Sequence, residues 1–184
     1  KLEETNEGYA IAKISGIKLC EFYARQHKIN YFSVMPCNVF GINDNYNSKS
    51  SHFIPALIKK IHNAKIKNKK NIVIWGSGKP LREVIFSDDL ADACIYLLKI
   101  KHKKNLINIG TSVEMNITNF AKKIMKILNY NCKIVYDKKK PDGVKRKKLD
   151  CKVLEKLGWK SKINFETAIN KTYTFYLKVR NHEK

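Results

Sequence analysis

The stretch Ile72-Val73-Ile74-Trp75-Gly76-Ser77-Gly78-Lys79-Pro80-Leu81-Arg82-Glu83-Val84-Ile85-Phe86-Ser87-Asp88-Asp89-Leu90 holds the start of three elements. Ile72–Trp75 is a short apolar run closed by a Gly-Ser-Gly turn, and Glu83–Phe86 is a second one; both predict strands. Ser87-Asp88-Asp89 is a helix-start signal, because short polar side chains accept the unpaired N–H groups of a first turn. Leu90, Ala93, Cys94 and Leu97 then recur at three- and four-residue spacing and give that helix one apolar face.

The same alternation extends in both directions. Upstream, Ile11, Ile14, Ile17, Leu19, Phe22 and Tyr23 predict a helix over Tyr9–Lys28, and Tyr31–Met35 predicts a strand that stops at Pro36. A polar loop follows over Asn38–Ser51, then a helix over His52–Ala64, where Pro55 is tolerable because it lies in the first turn. Downstream, the expectation is a strand over Leu106–Ile109 ended by Gly110, a helix over Asn116–Leu128 and a strand over Lys133–Tyr136. A basic loop, Lys138–Lys148, surrounds Pro141-Asp142-Gly143, and helices close the chain near Lys152–Leu157 and Phe165–Val179. Strands separated by helices imply an α/β fold with substantially parallel pairing.

Composition bounds the function. The 184 residues, 43% of them hydrophobic, can bury a core and are too apolar for a disordered basic tail. No apolar run is long enough to span a bilayer, so no membrane partner is expected. The sequence begins at Lys1 rather than Met with no leader after it, which suggests a piece of a longer protein missing its start. The net charge of +21 invites a nucleic-acid reading, but 33 of the 37 basic residues are Lys and only 4 are Arg. Arg is the residue whose planar fork reads guanine and phosphate. No zinc-finger, helix-turn-helix or RNA-binding aromatic motif is present, so a solvated Lys-rich surface is expected and a basic nucleic-acid module is the lesser alternative. Five scattered cysteines (Cys20, Cys37, Cys94, Cys132, Cys151) without a Cys-x-x-Cys pair suit reduced thiols in a cytoplasm, not a disulfide framework or a metal site. Cys20 and Cys94 lie on apolar stripes and are expected in the core.

Tyr9-Ala10-Ile11-Ala12-Lys13 places a phenol and an ammonium one helical turn apart. A nearby ammonium stabilises phenolate, which makes the pair a usable proton donor and acceptor. The pattern also occurs by chance. His52 can equally be a helix cap, Trp75 a core residue, and Arg82-Glu83 a surface ion pair of little weight. Asp142 sits in a turn-favouring Pro-Asp-Gly, and the lysine runs 138–140 and 145–148 can be plain solvated loop.

A Tyr-x-x-x-Lys helix followed by a strand ending in Pro36-Cys37-Asn38-Val39-Phe40-Gly41 resembles the extended short-chain dehydrogenase/reductase superfamily. Further segments narrow this to the GDP-L-fucose synthase family. They are Ser51-His52-Phe53-Ile54-Pro55-Ala56-Leu57-Ile58, Val73-Ile74-Trp75-Gly76-Ser77-Gly78-Lys79-Pro80-Leu81-Arg82-Glu83, Lys140-Pro141-Asp142-Gly143-Val144-Lys145-Arg146-Lys147 and Leu157-Gly158-Trp159. The resemblance runs from about Gly8 to about Tyr176.

It implies the C-terminal part of a Rossmann-type NAD(P)-binding domain over residues 1–50. Residues 51–184 would be mainly a smaller α/β nucleotide-sugar-binding domain, with a segment returning to the first. It also implies an NADP-dependent enzyme that epimerises GDP-4-keto-6-deoxy-D-mannose at carbons 3 and 5 and reduces carbon 4, giving GDP-L-fucose. Tyr9 would be the acid at the carbon-4 oxygen, Lys13 would hold the nicotinamide ribose, and His52 would be the acid of epimerisation beside the cofactor. Pro36, Cys37, Asn38 and Val39 would line the nicotinamide pocket; Lys60, Trp75, Arg82 and Asp142 would hold the nucleotide half of the substrate. The family usually has Arg where Lys60 stands, so the bidentate fork is lost. Relatives dimerise through the Tyr-Lys helix, so a homodimer is expected. A related nucleotide-sugar 4-epimerase or 4-reductase would share the Tyr-Lys pair without needing His52. The Gly-rich phosphate loop of a Rossmann domain is not in these residues, nor are the family's serine partner of the tyrosine and its base cysteine; Cys37 does not stand at the base position. An isolated fragment is expected to be inactive.

Overall fold

The computed structural model describes residues 2–48 and 50–182. In chain order the elements are α1 (Glu7–His27), β1 (Ser33–Pro36), β2 (Asn38–Phe40), α2 (Phe53–Ile66), β3 (Asn71–Trp75), β4 (Leu81–Phe86) and α3 (Ser87–Lys99). Then come β5 (Leu106–Ile109), β6 (Glu114–Asn116), α4 (Ile117–Ile127), β7 (Lys133–Asp137), β8 (Arg146–Lys147), α5 (Lys152–Lys156) and α6 (Phe165–His182). The fold is α/β, and pairing is parallel for β1–β5, β2–β4, β3–β7 and β4–β8, antiparallel for β4–β6.

β1 and β2 form one extended run that changes neighbours at Cys37. Pro36 has no N–H to give; Cys37 N–H donates to Ile109 O at 2.9 Å, and from Asn38 the chain pairs with β4. The predicted loop therefore starts three residues late. Phe40 explains the difference: it is buried, with its ring centroid 5.8 Å from that of Phe86 and 5.9 Å from that of Phe165, and this contact outweighs the turn preference of Asn38. β6 and β8 went unpredicted because they are very short and hold a single apolar residue, Met115. They add to β4 where Leu81 faces Asn116 on one side and Arg146 on the other.

β4 separates two apolar clusters, as the alternation of a strand requires. Val84 and Phe86 face one cluster, with Leu57, Ile58 and Ile61 of α2, Phe120 and Ile124 of α4, and Ile169 of α6. Ile85 faces the other, with Ala93 and Leu97 of α3, Ile107 and Ile109 of β5, Leu154 and Trp159. Asp89 closes the junction by accepting from the N–H groups of Lys162 and Ile163 at 3.2 and 3.1 Å.

α1 has apolar residues on every side and buries none of them. Cys20 is half-buried there rather than in the core, because α1 packs into neither cluster. Cys94 is half-buried against the second cluster. Among the described residues no helix is long and apolar enough to cross a membrane.

Candidate active site

Tyr9 and Lys13 stand one turn apart on α1, with Lys13 Nζ 5.5 Å from the centroid of the Tyr9 ring. Tyr9 is 62% exposed, so its hydroxyl is open to a reacting molecule. Pro36–Val39 lie where β1 passes into β2, towards the carboxyl ends of parallel strands, the usual place for ligands in open α/β sheets. Asn38 is tied down: its Nδ2 donates to Glu83 O at 2.7 Å. Burial pushes the Cys37 thiol far up, helped by the charge of Glu83 and by Cys151, so it is a poor nucleophile or base.

His52 precedes the first residue of α2. Its extended backbone (φ −67°, ψ 166°) suits a cap, but its side chain makes no capping hydrogen bond and is exposed. The cap alternative thus accounts for the backbone and leaves the imidazole unexplained.

The remaining candidates meet at the turn between β3 and β4. Trp75, at the end of β3, is 56% exposed and is not a core residue. Lys60 Nζ lies 5.3 Å and Lys140 Nζ 5.5 Å from its ring. Lys60 comes from α2 and also donates to Val73 O at 3.0 Å; burial lowers its ammonium below the usual lysine value.

Asp142 reaches the same turn from the basic loop. It accepts from Ser77 N at 2.5 Å and from Ser77 Oγ at 2.7 Å. These two bonds hold its carboxyl below the usual range, aided by the charges of Lys79 and Arg82. Gly76 (φ +71°) is needed twice over: its conformation is left-handed, and a side chain there would run into the Asp142 carboxyl.

Arg82 Nη1 donates to Leu81 O and to Val144 O, each at 2.8 Å. Burial lowers the guanidinium's value, and Asp142 opposes that shift. Arg82 is therefore fixed at one nitrogen by two carbonyls, and because Glu83 is fully buried the two do not form a surface ion pair. The loop itself is a strap rather than free solvated chain. It is sewn to the β3–β4 turn by Asp142, by the Val144 carbonyl, by Leu81 N–H to Lys145 O at 2.9 Å, and by the pairing of β8.

Lys60, Trp75, Arg82 and Asp142 are thus brought together from four segments. No hydrogen bond or ion pair among the described residues links them to Tyr9, Lys13 or His52. Sequence reasoning missed Lys140 and Ser77. Both were within quoted motifs, but a lysine in a lysine run and a serine between glycines carry no spacing signal. Two lysine ammoniums at an aromatic face, with a guanidinium and one carboxylate acceptor on the adjoining strand and strap, suit a planar ring bearing a polyanion.

Residues 1–110 match the NAD dependent epimerase/dehydratase family, and the chain belongs to that family. Within it, the chain is 44% identical over 185 residues to the GDP-L-fucose synthase of Escherichia coli (strain K12), covering 96% of this chain and 58% of that protein. It is 41% identical over 185 residues to the GDP-L-colitose synthase of Yersinia pseudotuberculosis, covering 100% of this chain and 60% of that protein. Among solved structures, the GDP-L-fucose synthetase of Naegleria fowleri bound to NADP has a TM-score of 0.87 at 29% identity, over 99% of this chain and 58% of that one. The chain spans a little over half the length of the curated relatives it matches.

Proposed function

We propose that this chain is the C-terminal part of an NADP-dependent GDP-L-fucose synthase, which epimerises GDP-4-keto-6-deoxy-D-mannose at carbons 3 and 5 and reduces it at carbon 4. The observation that carries the reading is the convergence of Lys60, Trp75, Lys140, Arg82 and Asp142 on one turn. That surface takes a nucleoside diphosphate: Trp75 offers a flat face, Arg82 and the lysines attract the diphosphate, and Asp142 accepts from base or ribose.

The donor set of α1 and β2 fits the nicotinamide end of NADP. Lys13 would hold the ribose, and the Pro36–Val39 backbone would lie along the ring. When bound, that cofactor supplies the hydride for carbon 4. Tyr9 gives a proton to the carbon-4 oxygen as the ketone is reduced, with the Lys13 ammonium one helical turn away. At carbons 3 and 5, where the adjacent ketone acidifies the C–H bonds, a base carried by another part of the enzyme would take the proton and the exposed His52 imidazole returns one from the opposite face.

Residues 1–50 would close a cofactor domain, and residues 51–184 would form mainly the substrate domain. The partial coverage of the relatives supports a fragment that is inactive alone. α1 supports a homodimer, since a helix apolar all round needs cover on more than one side. Five free cysteines support a cytoplasmic site of action.

The test is NADPH oxidation by the product of the whole gene with GDP-4-keto-6-deoxy-D-mannose, with the product's configuration read by NMR. GDP-L-fucose is expected; no turnover, or a product unchanged at carbons 3 and 5, would refute the reading. The likeness to the Yersinia enzyme favours GDP-L-colitose synthesis as the second reading; colitose lacks the 3-hydroxyl, so preference for the 3-deoxy 4-keto substrate over GDP-4-keto-6-deoxy-D-mannose would separate the two.

A further inference from the structure

Glu83 is fully buried, at 0% exposure, in the middle of β4. Ser112 N–H donates to its Oε1 at 2.7 Å and Leu149 N–H to its Oε2 at 2.9 Å. Among the described residues no lysine or arginine pairs with it. Adjacent strand residues point to opposite faces, so Arg82 and Glu83 serve different neighbours from one strand. The Glu83 carbonyl is also taken, by Asn38 Nδ2 at 2.7 Å. Gly110 makes room for the carboxyl, since any side chain there would run into Oε1.

An apolar residue of similar size would fill the space with a smaller desolvation cost. What the carboxyl adds is direction. Its two oxygens bind the backbone at the loop after β5 and at the end of the Asp142-bearing strap, and in doing so set the orientation of the residue's main-chain carbonyl, which accepts from Asn38. Arg82, the next residue, holds the same strap at Val144.

We propose that Glu83 is a positioning residue that sets the cofactor segment, through Asn38, and the nucleotide-binding strap, through Leu149, in fixed relation to each other. This deepens the function proposed above and rests on it.

The test uses the protein expressed from its whole gene, with NADPH and GDP as probes. Glu83→Gln keeps the size but turns an N–H against one of the two backbone donors. At a temperature where circular dichroism shows the variant folded, Kd for NADPH and Kd for GDP should each rise at least about tenfold. A merely structural role would lower Tm and leave both constants of the folded protein within twofold of wild type, which would overturn the proposal while wild-type binding kept the functional reading intact. A rise for only one ligand would also overturn it. Wild type that binds neither ligand refutes the functional reading, and this proposal with it. Should Glu83→Gln fail to fold, hydrogen exchange of the wild type decides: NADPH should slow exchange in the peptide 144–152, remote in sequence from the cofactor segment, and an unchanged peptide would overturn the proposal.

Discussion

Trp159 is 2% exposed and donates its indole N–H to Asp92 at 2.7 Å, whereas Trp75 is 56% exposed beside two lysine ammoniums. The two tryptophans of the chain therefore report on different places. GDP should quench the emission of Trp75 and leave that of Trp159 alone, so Trp75→Phe should abolish most of the quenching. Trp75→Ala should weaken GDP binding about tenfold by calorimetry, in line with stacking plus cation–π attraction. Unaltered affinity would remove Trp75 from the site. At the other end, Tyr9→Phe should lower kcat for NADPH oxidation at least about hundredfold with little change in NADPH affinity. His52→Gln should slow proton exchange at carbons 3 and 5 more than hydride transfer, and a variant that exchanges those protons at the wild-type rate would count against His52. Glu83 and Lys140 were illegible at this scale for opposite reasons. A lone charged residue beside an arginine looks like surface until the neighbouring backbone is placed, and one lysine among 33 has no pattern to distinguish it.

Periodicity made the long elements readable, because burial of one face imposes it. In α2, for example, Leu57, Ile58 and Ile61 lie within one helical face and are all buried. It could not reveal β6 and β8, whose pairing is dictated by β4 rather than by their own side chains. Nor could it show that a Lys-rich loop is held down at Asp142. That anchor has a pH signature. The Ser77 bonds lower the Asp142 value in the folded protein, so its contribution is present above the ordinary carboxylate value of about 4 and is lost as the pH falls through the lowered one. Thermal melts should therefore separate wild type from Asp142→Asn at pH 7 and bring them together well below pH 4. A gap that persists in acid would mean that the charge is not what fastens the strap. Ile85 tests the strand beneath. It is 1% exposed, and Ile85→Ala should cost about 2–5 kcal/mol in urea unfolding, much more than truncation of the exposed Val73 on β3.

At the scale of the whole molecule the unusual feature is α1, a helix of 21 residues with none buried. Tyr9 and Lys13 share one side of it. Ile11 and Phe22 fall on the opposite side at 100° per residue and are 51% and 56% exposed. Large apolar side chains on both sides of a helix are stable in water only when both are covered. The catalytic side of α1 is covered, on the proposed reading, by the remainder of the cofactor domain. The opposite side is then left to a second copy of the protein, and two copies meeting there would be related by a twofold axis, so each substitution would act twice. Phe22→Glu places a carboxylate where an apolar contact would be, and its desolvation should break such an interface. Analytical ultracentrifugation of the whole gene product should give twice the protomer mass for wild type and the protomer mass for Phe22→Glu. GDP quenching of Trp75 should survive in the variant, because that site lies on β3 and the strap. A monomeric wild type would show that α1 is covered within a single chain, and a variant that keeps the doubled mass would place the contact between copies away from Phe22.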